Sequence, residues 1–257
     1  MTDLHLTVPT SWKELSPRQL KFISYLMTEM QLSADELLTH AFIGLAGIKV
    51  LKQDTYGYVF SHKRRYFILS VAEFYEFTRK VQWITGGVSE VTPLSELAGV
   101  KHVHPRLCDT PFNRYLACEN YYQQYIFTQN IQALQCLAAC FYAGKKEFDD
   151  SQTLNNSEKF ADLPVHVLHT VFLWYAGLKT VFQKQFSYLF RPAEAVGEAQ
   201  APNMREHIDN MIRALTGGDV TKTEAVANTE TWTAFSELNA KARESEELKN
   251  RMAKMRK

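Results

Sequence analysis

Two pairs of residues have the types and spacing of metal ligands. Cys136 and Cys140 sit inside IQALQCLAACFYAG, and His166 and His169 sit inside VHVLHTVFLWYAGL. Separations of four and three are helical spacings, so each pair would share one helix face. Zinc accepts four sulfur and nitrogen ligands tetrahedrally, so the pairs could in principle meet as a Cys2His2 site. The spacing is not that of a small zinc module, and all four residues lie in apolar runs, where a free cysteine commonly acts as a small buried hydrophobe. His102 and His104 lie in a loop and would need further ligands. A metalloprotein therefore stands as an alternative, and no cofactor is expected.

Other chemistry has less support. No serine sits in a GxSxG turn, and no cysteine has a recognisable catalytic setting. Gly86-Gly87 and Gly217-Gly218 are isolated pairs that form neither GxxxxGK[ST] nor GxGxxG, so nothing cradles a phosphate. Asp149-Asp150 and Glu246-Glu247 read as solvated faces. The expectation is a protein that is not an enzyme.

Two segments have the character of contact surfaces instead. Lys63, Arg64 and Arg65 form a compact basic cluster at a hairpin tip, suited to an electrostatic contact. Near the C-terminal end, Leu248, Met252 and Met255 recur at helical spacing with charges between them, a narrow apolar stripe suited to a partner groove or coiled-coil contact. Residues 241–257 carry seven Lys/Arg against three Glu. Trp232 and Phe235, near the start of the same helix, are further candidate docking residues.

These segments need a scaffold, and the helix starts are written clearly. Ser16-Pro17-Arg18-Gln19, Ser33-Ala34-Asp35-Glu36 and Ser70-Val71-Ala72-Glu73 are capping boxes, the first with proline at the first helical position. Thr110-Pro111 restarts a helix in the same way. Asp162-Leu163-Pro164 opens a long apolar helix running to about Phe190. YGYVF (56–60) and YFIL (66–69) predict a β-hairpin with the five-residue connection SHKRR. Residues 86–107 read mainly as loop, and 145–160 as polar loop. The segment 110–130 holds six aromatic residues, and on a helix Phe112, Tyr115, Leu116, Tyr122 and Ile126 share a side, interrupted by Glu119 and Gln123. A base-stacking platform would need a basic groove, and this segment has one basic residue, Arg114, so the stripe reads as core.

The resulting fold class is mainly α, bundle-like. Residues 1–190 form a main helical domain with the hairpin near 56–69, 191–202 an Ala/Pro/Gly-rich linker, and 203–257 a C-terminal helical extension. The 257 residues are 46% hydrophobic and 22% charged, an ordinary globular mixture. A net charge of +1 argues against a dedicated nucleic-acid binder, which must neutralise many phosphates, and leaves a DNA-binding regulator only as an alternative. Four cysteines and an N-terminus without a signal-like pattern fit a reducing interior, and no apolar run reaches membrane-spanning length.

TSWKELSPRQLKFI (10–23), TPFNRYLACENYYQQY (110–125), IQALQCLAACFYAG (131–144) and ADLPVHVLHTVFLWYAGL (161–178) follow an order that resembles phage- and prophage-encoded tail-associated proteins. ALTGGDVTKTEAVANTETWTAFSELNAKARE (214–244) is similar to the closing segment of such proteins. The chain departs from the pattern where the helix after residue 131 ends CFYAG, and the hairpin and residues 86–107 carry no likeness. The resemblance implies a non-enzymatic role in tail assembly, as a chaperone for a helical tail protein of the tape-measure kind. Its milder form is a structural tail or baseplate subunit kept in the virion. It implies phage tail proteins as partners, with a homo-oligomer an open option, and the host cytoplasm or the particle as location.

Overall fold

The structure, a computed structural model, describes residues 6–143, 148–191 and 204–255. Apart from Arg191, the linker expected at 191–202 lies outside the described residues, as does the expected helix stop at Gly144. In chain order the main elements are α1 Pro17–Thr28, α2 Ala34–Ala46, β1 Lys49–Asp54, β2 Gly57–His62, β3 Arg65–Ser70, α3 Val71–Thr78, β4 Glu96–Leu97, β5 Val100–Lys101, α4 Phe112–Thr128, α5 Ile131–Phe141, α6 Thr153–Ser157, α7 Val165–Gln185, α8 Met204–Thr216, α9 Thr223–Ala227 and α10 Thr231–Met255. The fold is mainly α with a small antiparallel sheet.

The three capping boxes are present. The Ser16, Ser33 and Ser70 hydroxyls accept from the N–H of Gln19, Glu36 and Glu73, and those side chains accept from the serine N–H in return. Each box satisfies two backbone donors that a helix start leaves open. Gly47 ends α2 with φ of 63°, a left-handed stop that glycine takes at least cost.

The β element is larger than the expected hairpin. It is a three-stranded sheet in the order β1-β2-β3, and its first strand, KVLKQD, has too many charges to advertise itself as a strand. The second connection is two residues, not five. His62 pairs with Arg65, leaving only Lys63 and Arg64 in the turn, so Arg65 belongs to the strand. Both turn residues have positive φ, 48° and 66°. Such a turn matches the twist of the flanking strands, and it favours Asn-Gly over long side chains. At the first connection Gly57 is required sterically, since a Cβ there would sit 2.2 Å from the Leu69 carbonyl oxygen.

The chain divides into two compact units at places the sequence did not suggest. One contains residues 1–93 and 164–177, the other 94–163 and 178–257. The C-terminal segment expected as a separate extension therefore belongs to a unit built largely from the middle of the chain.

In the first unit, one face of the sheet meets α2 and α3 through aromatic rings. Phe60 and Phe42 are fully buried, and Phe74 lies 5.2 Å from the Phe60 ring and 6.0 Å from Phe42. Trp12 and Trp83 meet edge to face at 5.3 Å, and their indole N–H groups donate to the Gly87 and Pro9 carbonyls. Gly177 packs against the 89–91 segment so closely that a Cβ would lie 2.2 Å from the Ser89 carbonyl oxygen. His169 is buried in the same unit, 2.9 Å from the Ser24 hydroxyl through Nδ1. Ser24 gives its single proton to the His166 carbonyl at 2.7 Å, so the hydroxyl accepts from His169, which fixes the Nδ1–H tautomer.

Two predictions follow from these local geometries. Replacing Lys63→Asn with Arg64→Gly relieves two left-handed non-glycine residues and should raise unfolding free energy by roughly 1–2 kcal/mol. Denaturant titration checks this, and an unchanged midpoint would mean the turn is not strained. Burial pushes His169 down to about 4 from 6.5. Between those values the unfolded chain binds a proton that the folded chain refuses, so stability falls as pH drops from 6.5 toward 4 and levels below it. The loss is on the order of 3 kcal/mol at most. A His169→Gln variant should flatten that part of the stability profile.

Candidate functional site

The second unit is organised around the aromatic stripe of α4. Phe112, Tyr115, Leu116, Tyr122 and Tyr125 are buried, so the segment is core. Ile126 is the exception, 38% exposed, with Tyr125 inside in its place. The polar interruptions are explained by partners far along the chain. Glu119 is buried in an ion pair with Lys179 and accepts from Gln123 at 2.7 Å, while the Lys179 ammonium lies 5.0 Å from the Tyr122 ring centre. Arg114 is also buried, its guanidinium 5.0 Å from the Phe148 ring centre. Neither burial was legible in the sequence, because each depends on residues outside the α4 segment.

The start of α4 is clasped to the start of α10. Pro111 and Glu230 form an antiparallel bridge. The Phe112 N–H donates to the Thr229 carbonyl at 2.8 Å, and the Thr110 carbonyl accepts both the Thr231 N–H and its hydroxyl, at 2.8 and 2.7 Å. Pro111 thus precedes α4 as its cap residue, and the first helical N–H is satisfied by backbone of the segment that leads into α10.

This clasp decides the fate of the candidate docking residues. Phe235 has no exposed surface. Its ring lies 4.6 Å from Tyr115, 5.0 Å from Phe182 and 5.3 Å from Phe186. The expectation that it docks a partner is corrected: it is a core residue of the second unit. Trp232 is half-buried, packed on Phe182 and Phe186, and its indole donates to the Arg106 carbonyl at 2.6 Å. The signal available in the sequence was the 182, 186, 190 phenylalanine spacing, whose rings supply the pocket that Trp232 and Phe235 fill.

Further along α10 the attachments thin out. Asn239 accepts from the N–H groups of Tyr188 and Leu189, Lys241 donates to the Ala214 carbonyl, and Arg191 pairs with Glu246 at 2.8 Å. Every residue from Glu247 to Met255 is exposed. Leu248, Met252 and Met255 are 57%, 52% and 78% exposed, on the stretch that carries Lys249, Arg251 and Lys254. The basic residues predicted at the sheet are exposed as well, with Lys63 and Arg64 at the turn and Arg65 opening β3.

Beside the clasp lies an open cleft of about 1160 Å3, lined among others by His102, His104, Cys108, Asp109, Arg114 and Phe148. Burial pushes His102 down to about 4, keeping it neutral. Burial, then the charges of Glu230 and Asp109, push the Cys108 thiol up, so it stays protonated and poorly nucleophilic. Cys136 and Cys140 are buried in the second unit, His166 and His169 belong to the first. Among the described residues no group of three or more His, Cys, Asp or Glu could hold a metal ion, and no helix is long and apolar enough to cross a membrane. Comparison of the chain with family models, with curated proteins and with solved structures returns no match in any of the three.

The two ends of α10 should therefore respond oppositely to substitution. Phe235→Ala removes a fully buried ring and should cost about 3–5 kcal/mol of stability. Leu248→Asp with Met252→Asp should change it by less than about 0.5 kcal/mol. Paired denaturation curves test this; a large loss from the second variant would show that the stripe is packed in solution.

Proposed function

We propose that this protein is a non-enzymatic interaction factor whose docking element is the last turns of α10, acting on a helical partner in phage tail assembly. The observation that carries the reading is the contrast within one helix. Its first two turns are locked into an aromatic core, while Leu248, Met252 and Met255 stand open on a basic background. An apolar stripe on a charged helix suits an apolar groove or a second amphipathic helix. The positive flanks, Lys249, Arg251 and Lys254, favour a partner with acidic residues beside its own apolar stripe.

The assembly role itself comes from the resemblance to phage tail proteins. A tape-measure-type protein is a long helix with apolar surface that needs cover before the tube grows around it. A chaperone must release what it covers, and a stripe of three side chains on one helix is small enough for reversible binding. Retention in the particle as a tail or baseplate subunit is the competing outcome.

The test is capture by the tagged chain in cells producing the phage or prophage, with mass spectrometry of the bound proteins. The expected result is a long helical tail protein, lost by at least about tenfold with Leu248→Asp and Met252→Asp, which leave the fold intact. Capture unaffected by that variant would remove α10 as the docking element. Recovery of tube or baseplate proteins alone, together with the chain in purified particles, would assign the structural role.

A further inference from the structure

The sheet of the first unit has two edges, and only one is defended. β1 carries Lys49 and Lys52 and a bulge between Val50 and Lys52, features that deter pairing with another strand. Among the described residues β3, RYFILS, pairs with β2 alone, and it has one charge, at its first residue. Its register also settles which backbone groups are free. With His62 and Arg65 closing a two-residue turn, Arg65, Phe67 and Leu69 hydrogen-bond to β2. The N–H and C=O groups of Tyr66 and Ile68 therefore point away from β2, at the open edge. The side chains of the same two residues are 75% and 72% exposed, on the face opposite Phe60.

We infer that β3 pairs antiparallel with β3 of a second copy of this chain, about a two-fold axis at Phe67. Matching the outward-pointing residues of both strands sets the register: Tyr66 opposite Ile68 of the other copy, twice, with Phe67 facing itself. Each Tyr66–Ile68 pair exchanges two backbone hydrogen bonds and brings together the two most exposed apolar side chains of the strand.

Charge selects a second copy over an unrelated strand. Antiparallel pairing lays the start of one β3 beside the end of the other. The start is the basic tip, Lys63, Arg64 and Arg65, and the end runs into the first turns of α3, which carry Glu73 and Glu76. Each strand thus supplies a basic end to the acidic end of its partner, and the two-fold repeats the match. A role for that tip also accounts for Lys63 and Arg64 standing in a turn that prefers Asn-Gly.

Sedimentation velocity of the full chain across micromolar concentrations tests the inference. The expected result is a dimer that dissociates on dilution and weakens with salt. Ile68→Pro removes an edge N–H while sparing the bonds to β2, so it should weaken self-association by at least about tenfold with unchanged helicity and melting. Ile68→Lys should do the same through its charge. Under mild oxidation Phe67→Cys should form a disulfide-linked dimer, whereas Tyr56→Cys, on the other connection, should not. A monomer at all concentrations overturns the inference. So does a dimer that both Ile68 variants leave intact, or a monomer whose β3 amides gain exchange protection only from a different protein.

Discussion

The second unit depends on a backbone pairing between residues 121 apart in sequence, the joining of Thr110 to Thr231. The Thr110 carbonyl uses both lone pairs on one residue, and the Phe112 N–H finds its acceptor in Thr229. Buried backbone groups left unpaired are costly, so the starts of α4 and α10 can be interior only together. That requirement brings Trp232 and Phe235 to the rings of Phe182 and Phe186. It also orients α10 so that its first turns are consumed by packing and its last turns are not.

Local rules were readable where the responsible residues are close together in the chain. Ser16, Ser33 and Ser70 each find their helix partner three residues on, so the capping boxes and helix starts could be read directly. The Gly217-Gly218 stop after α8 is of the same kind, with φ of 65° and 87°. What failed depends on distance. β1 is held by its neighbour β2 in spite of the composition KVLKQD, and Glu119 is inside because Lys179 comes to meet it. Arg114, the one basic residue of the α4 segment, is inside with its guanidinium over the Phe148 ring. The α7 helix ends at Gln185, earlier than the apolar run suggested, and Phe186 and Phe190 beyond it pack on Phe235, each N–H still donating to the carbonyl four residues back.

The candidate site was half legible for the same reason. Periodicity grouped Leu248, Met252 and Met255 as a stripe, and Trp232 and Phe235 joined them as docking candidates from the start of the same helix; spacing along a helix does not record what lies against each face. Trp232 and Phe235 meet the 182–190 rings and the three residues of the stripe meet solvent. At the sheet, hydrophobicity located β2 and β3 but not β1, while the turn residues misled because Lys63 and Arg64 adopt a conformation usually left to Asn and Gly. In both places apolar groups remain exposed next to basic ones, which keeps such surfaces soluble while leaving them able to bind.

The clasp also bears on how the chain is made. At ribosomal speeds, the interval between the emergence of Thr110 and that of Thr231 is on the order of 10 s. Throughout it the start of α4 lacks its backbone partner, and Phe112, Tyr115 and Phe182 lack the ring of Phe235 that closes over them. The second unit is thus a nascent chain with its hydrophobic interior open until its last long helix arrives. A truncated or stalled product ending before residue 229 would present that aromatic surface to the quality-control machinery of the cell, which makes α10 the segment that licenses the whole unit to persist.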